Sequence, residues 1–174
     1  SEAGEEMLTT DNIILSCGSS SASFPGLAPD GDAVLDSTGV LNLPEVPESL
    51  IIVGAGAIGL ELGDFFGMMG SKITIVEAAP HIAPTEDADI AKEMDRVQSK
   101  AGRTCISGVM AKSLVTKGRQ AELTLGDGRV LTASKALVAV GRTPNTAGLD
   151  CEKAGCTLKR RGFVDVNDHL EAAE

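Results

Sequence analysis

Tryptophan and tyrosine are missing from the 174 residues, and only Phe24, Phe65, Phe66 and Phe163 represent the aromatics. The core must therefore be aliphatic, built from Val, Ile, Leu and Ala on sheet and helix. Positive charge is also short. Fifteen basic against twenty-five acidic residues leave a net charge of −10, with no basic cluster beyond Lys159-Arg160-Arg161. That balance speaks against nucleic acid and against an anionic membrane surface as partners. No apolar run approaches the length that spans a bilayer, and Ser1 to Glu6 lacks the basic and hydrophobic regions of a signal peptide. Four cysteines at irregular spacing suit a reducing compartment better than a disulfide scaffold. These absences together lead us to expect a soluble, cytoplasmic chain with one full domain and not two.

Short aliphatic, β-branched runs are what the chain does have. Residues 50–53 and 72–77, each bounded by glycine, read as buried parallel strands. Between them Ile58, Leu62, Phe65, Phe66 and Met69 recur at helical spacing, with Gly70 as the stop, which completes a β-α-β unit. A second helix is expected from about Asp87, with Ile90, Met94, Val97 and Ala101 on its inner face. The acids Glu86, Asp87 and Asp89 complement its dipole and Gly102 closes it. Thr104-Cys105-Ile106 follows as a third strand. From Lys112 the pattern alternates through 113–116, 121–125 and 130–132, with a turn at Gly126-Asp127-Gly128. This predicts a small antiparallel meander that crosses back to a buried strand at 135–140. The fold class expected is α/β, a Rossmann-like parallel sheet with helices and that meander as crossover. Two segments fit less neatly. Asn12 to Ser20 looks like an echo of Lys135 to Thr143, an apolar strand running into glycine, and Arg161 to Glu174 forms a strand-like run.

The first strand runs into Gly54-Ala55-Gly56-Ala57-Ile58-Gly59, a G-x-G-x-x-G spacing that opens directly into the helix. Gly54 permits the tight turn, Gly56 removes the Cβ that would block a pyrophosphate, and Gly59 lets the helix close on the strand. The unpaired N–H groups at the helix start, at the positive end of its dipole, then hold phosphates. Gly63, one turn on, extends the close packing. A glycine-rich turn alone would be weak, since any α/β protein can carry one. The second strand, however, ends in Glu77, eighteen residues past Gly59, where an acid accepts hydrogen bonds from both ribose hydroxyls. An acid there repels a 2′-phosphate and no arginine follows closely, so NAD is favoured over NADP.

Gly54 to Glu77, taken with VAVGRTPNTAGLD at Val138 to Asp150, resembles the FAD-dependent pyridine nucleotide-disulfide oxidoreductases. Within that family the NAD-linked dihydrolipoamide dehydrogenases are most similar, with glutathione and mercuric reductases, NADH oxidases and transhydrogenases as the other branches. The resemblance runs from about Thr10 to Leu170. It implies that residues 25–145 are an NAD(H)-binding domain which presents the nicotinamide to a flavin held elsewhere. Gly54, Gly56 and Gly59 would hold the pyrophosphate, with Ala57 in the same loop; Glu77 would hold the ribose and Val109 would lie near the adenine. Ile58, Glu61 and the Gly141 backbone would lie near the nicotinamide. Residues 1–24 and 146–174 correspond to the exit strand and the return segment of an FAD domain.

Several parts of the family pattern have no counterpart in these residues. They are the FAD fingerprint, the redox C-x4-C helix, the FAD motif expected after His169 and the dimerisation domain; the exit motif, usually A-T-G, is Ser16-Cys17-Gly18. The resemblance therefore implies a fragment of a homodimeric flavoprotein, inactive alone, with FAD belonging to the parent. A free-standing NAD-binding module is the alternative, and a small thiol oxidoreductase is a third. Cys151 and Cys156 have C-x4-C spacing, yet relatives carry aliphatic residues here, and two small apolar fillers is the simpler reading. No further ligands cluster near them for a metal. His81 and His169 read as solvent-facing loop residues. Glu61 reads equally well as a polar residue on the first helix turns.

Overall fold

The computed structural model describes residues 6–173; the start of the N-terminal acidic stretch, residues 1–5, and residue 174 of the return segment lie outside it. The chain divides into two compact units, Ser21–Arg142 and a smaller one formed by Ser1–Ser20 with Thr143–Glu174. The sequence reading put these boundaries at 24/25 and 145/146.

Strand β1 (Ser19–Ser21) leads into the larger unit, which continues with β2 (Val34–Leu35), α1 (Ser37–Leu41), β3 (Ser49–Val53), α2 (Ala57–Met68), β4 (Lys72–Val76), α3 (Ala88–Lys100) and β5 (Thr104–Ile106). Then come β6 (Ala111–Lys117), β7 (Gln120–Leu125), β8 (Val130–Ala133), β9 (Lys135–Val138) and β10 (Arg142–Pro144), the last forming a two-stranded sheet with β1. Five strands make a parallel sheet in the order β2-β9-β3-β4-β5, and β6-β7-β8 is a separate antiparallel sheet. The expected α/β fold is the one found. The meander is the crossover from β5 at one edge of the parallel sheet to β9, which lies between β2 and β3.

Period-two alternation explains the layering. Ile51, Val53, Ala136 and Val138 cluster with the meander residues Leu114, Leu123 and Leu125. Leu50, Ile52, Ile75 and Leu137 cluster with Val40, Leu60 and Phe66 from the helices. The central strands are therefore buried on both faces, with helices on one side and the meander on the other. Among the described residues, no helix is long and apolar enough to cross a membrane.

Both helix faces differ from the expectation. In α2 the buried residues are Gly59, Leu60, Gly63 and Phe66, while Phe65 and Met69 are about half exposed and Ile58 and Leu62 half-buried. The contact stripe alternates glycine with Leu60 and Phe66, the last as expected. A Cβ at Gly63 would stand 3.0 Å from Ile52 Cδ1, and one at Gly67 2.7 Å from Arg103 Nε, so the helix axis sits too close to the sheet for larger residues there. In α3, Ile90 and Val97 point outward and Ala91 and Gln98 are buried. The polar Gln98 turns inward because Arg103 Nη1 donates to its Oε1 at 2.8 Å, and small Ala91 seats the helix on the same side. Asp87 occupies the N-cap position of α3 without a side-chain cap bond, and Asp89 stands in its first turn.

The terminal segments also depart from expectation. Residues 12–18 form no strand, and Ile13 and Ile14 are 76% and 89% exposed. The strand-like run after Arg161 is reduced to a 3-10 turn at Arg160–Gly162 and one isolated bridge, Leu158 to Val164.

Candidate functional site

At the carboxyl ends of β3, β4 and β9 the backbone leaves the sheet at the same register, because Val53 pairs with both Val76 and Val138. Chain order reverses here, since β4 follows β3 on one side while β9 lies on the other, and such a switch point opens a crevice in a parallel sheet. The crevice is a cavity of about 910 Å³ whose walls include Gly54, Gly56, Glu77 and Gly141.

Each glycine of the loop has its own physical reason. Gly54 has φ +103°, and a Cβ there would stand 2.4 Å from the Ala139 carbonyl oxygen. The tight approach lets Gly54 N–H donate to Val76 O at 2.8 Å while Ala139 N–H donates to Val53 O at 2.8 Å, which carries the sheet one step beyond the strands. Gly59 is buried under the loop, where a Cβ would meet Gly54 O at 2.0 Å. Gly56 differs from both. Its φ of −76° suits any residue, and beyond its own stretch of chain no protein atom lies within 4 Å of the position its Cβ would take. Nothing in the fold requires glycine there; the space it leaves belongs to the cavity. Gly56 is also the N-cap of α2, which has no side-chain cap and no acid in its first turn. The first N–H groups and the positive end of the helix dipole therefore remain available to an anion.

Glu77 is bonded on every side. Its Oε2 accepts from Ala55 N–H at 2.7 Å and its Oε1 from Ala79 N–H at 2.8 Å, so the carboxylate pins the glycine loop to the loop after β4. Its own N–H donates to Ile106 O, and its carbonyl accepts from Val109 N–H at 3.2 Å. Two oxygens offer about four acceptor positions, which leaves room for ribose hydroxyls beside the two backbone donors. Val109 is thus tied to Glu77 through the backbone, half-buried against the meander core, but it is not on the cavity wall. Ala57, Ile58 and Glu61 lie along α2 outside the wall, with Ala57 and Glu61 exposed. Gly141 is on the wall with φ +130°, and its carbonyl accepts from Ala22 N–H.

Part of the cavity wall was not read from the sequence. Phe24, Pro25, Met110 and Lys112 also line the cavity. One signal was available: Phe24, a rare aromatic beside a proline, belongs to no apolar repeat and is 45% exposed. Met110 and Lys112 carry none.

A family model described as pyridine nucleotide-disulphide oxidoreductase matches residues 1–173. The chain belongs to that family. A mitochondrial dihydrolipoyl dehydrogenase 1 of Arabidopsis thaliana is 37% identical over 174 residues, which cover 97% of this chain and 34% of the relative. LpdA from Mycobacterium tuberculosis superposes with a TM-score of 0.79 at 32% identity, over 87% of this chain and 33% of its own. The HOCl-induced flavoprotein disulfide reductase RclA of Escherichia coli gives 0.78 at 34% identity, over 90% and 36%. The chain spans about a third of the length of these relatives. The pyridine nucleotide-disulphide oxidoreductases bind FAD and NAD(P). The open space at Gly56, the uncapped helix start and the acid at the rim fit a dinucleotide pyrophosphate and ribose.

Proposed function

We propose that this chain supplies the NAD(H)-binding part of an FAD-dependent disulfide oxidoreductase of the dihydrolipoyl dehydrogenase kind. NAD supplies the chemistry of hydride exchange with a flavin, which in such an enzyme is coupled to oxidation of a dihydrolipoamide dithiol. The residues described here bind and orient. The N–H groups of Ala57, Ile58 and Gly59 at the α2 start take the pyrophosphate, Gly56 leaves the space for it, and Glu77 accepts the ribose hydroxyls while holding the loop through Ala55. Gly141 and the Ala139–Val140 backbone, which abuts Gly54, line the crevice beside the loop. Glu77 favours NAD over NADP, because its carboxylate repels a 2′-phosphate.

The observation that carries this reading is Gly56: a glycine that neither the backbone conformation nor the packing requires, set at a helix start on a cavity wall. The largely exposed apolar side chains of Met7, Leu8, Ile14 and Leu170 favour a part of a larger enzyme over a free-standing module. Calorimetric titration of the chain with NADH and NADPH, beside the Gly56→Val variant, tests the assignment. The expected result is saturable NADH binding, weaker NADPH binding, and loss of both in the variant with its circular dichroism unchanged. NADH binding unaffected by Gly56→Val would sink the glycine-loop reading.

A further inference from the structure

Three of the four cysteines, Cys17, Cys151 and Cys156, belong to the smaller unit, and all four are free thiols. The dinucleotide reading uses none of them. Cys151 opens a 3-10 turn (Cys151–Ala154) that ends on Gly155, in the left-handed conformation at φ 80° and ψ 1°. Two hydrogen bonds close the turn. Cys156 N–H donates to Cys151 O at 3.0 Å and Gly155 N–H donates to Glu152 O at 3.1 Å.

This is the paired bonding of a Schellman motif, with Cys151 at its third-from-last helical position and Cys156 two residues past the cap. Those two positions are the ones whose side chains touch across the motif, normally as an apolar contact. Here both are cysteines, 3% and 8% exposed. Across one such N–H···O bond, covalent bond lengths and angles keep the two α-carbons within about 6.5 Å of each other, inside the span of a disulfide.

We propose that Cys151 and Cys156 are a modification site, a buried dithiol that the Schellman turn holds ready to close into a disulfide when a two-electron oxidant reaches it. With hydrogen peroxide, the sulfur of Cys156, the more exposed of the pair, attacks one peroxide oxygen. The O–O bond breaks, a sulfenic acid forms on Cys156, and the departing hydroxide takes the thiol proton and leaves as water. The Cys151 sulfur then attacks the sulfenic sulfur. An S–S bond forms, the S–O bond breaks, and the hydroxide leaves with the second thiol proton. Two thiols lose two electrons and the peroxide becomes two waters. Burial, with Cys156 and Glu152 adding to it, pushes the Cys151 thiol up, which suits the resolving partner better than the first nucleophile.

The test equilibrates the whole chain, as it stands and as Cys17→Ser, with reduced and oxidised glutathione, quenches with acid and digests with trypsin. Lys153 lies between the two cysteines, so cleavage there leaves two peptides that stay joined only by a Cys151–Cys156 bond. The expected result is a joined pair in both proteins. Its equilibrium constant should be about tenfold or more above that of the same chain in guanidinium, where the turn is gone. A constant equal to or below the unfolded value, or a Cys17–Cys151 link in place of the expected pair, would overturn the assignment.

Discussion

One methyl group added at two positions of the same loop should separate folding from binding. At Gly54 the backbone stands at φ +103° and the new Cβ would fall 2.4 Å from Ala139 O, in the backbone connection that closes β9 onto β3. Holding alanine in that conformation costs about 1–3 kcal/mol, and forcing β9 to yield adds about 1–3 kcal/mol of overpacking. The sum, about 2–6 kcal/mol, is a large part of the 5–15 kcal/mol or so that stabilises a typical domain. With a urea slope of about 2 kcal/mol per molar, Gly54→Ala should lower the unfolding midpoint by about 1–3 M. At Gly56 the same methyl meets no protein atom within 4 Å beyond its own stretch of chain. Replacing an N-cap glycine by alanine costs only about 0.5–1 kcal/mol, a shift of roughly 0.5 M or less. Unfolding should be followed by far-ultraviolet circular dichroism, because the chain has no tryptophan or tyrosine to report by fluorescence. NADH titration of Gly56→Ala, against an unsubstituted control, supplies the other half. The reasoning fails if both substitutions move the midpoint equally, or if Gly56→Ala binds NADH as tightly as the parent.

Four other substitutions test the structure. Glu77→Gln replaces one acceptor by an amide donor facing a backbone N–H, so it should cost about 1–3 kcal/mol of stability and weaken NADH binding together; an unchanged melting temperature would show that the carboxylate does not hold the loop. Asp30 is partly desolvated, which raises its pKa, but bonds from Thr116 Oγ1 and from the Asp32 and Val34 N–H groups outweigh that and lower it from the usual carboxylate value. Its contribution is therefore complete above the unfolded carboxylate value and is lost as pH falls through the folded one; acid unfolding of Asp30→Asn should be flatter below about pH 4. Arg103, 7% exposed in its side chain, pairs with Asp64 at 2.6 Å and bonds Gln98, so Arg103→Ala should cost about 2 kcal/mol. Gly67→Ala should be damaging alone but milder in the Arg103→Ala background, since its Cβ would meet Arg103 Nε at 2.7 Å; strict additivity in a double-mutant cycle would refute the contact.

Strands buried on both faces were the easiest part of the fold to read. Leu50 to Val53, Lys72 to Val76 and Lys135 to Val138 carry continuous aliphatic runs because helices cover one face and the meander the other. The glycine loop was legible because spacing, strand and helix coincide within thirteen residues of IIVGAGAIGLELG. The helix faces were not. Counting apolar residues selects Ile58, Phe65, Ile90 and Val97, whereas close approach selects Gly59, Gly63 and Ala91, and the polar Gln98 goes inside because the Arg103 side chain, just past the end of α3, supplies its partner. Asn12 to Leu15 has strand composition but joins no sheet among the described residues and is exposed. The cavity wall at Phe24, Met110 and Lys112 comes from segments that meet only after the meander has folded back, a long-range fact that local pattern does not encode.

The position of β9 has a consequence for how the chain is made. It lies between β2 and β3, yet it is synthesised last of the five parallel strands, after the whole meander. Until Val138 has left the ribosome, β2 has no neighbour and β3 presents an unpaired aliphatic edge, Leu50 to Val53, of the kind that templates aggregation. The nascent chain must therefore wait with its sheet open between β2 and β3. A stall or truncation a few codons short of residue 135 would release a chain that holds the glycine loop but lacks the strand against which that loop is braced.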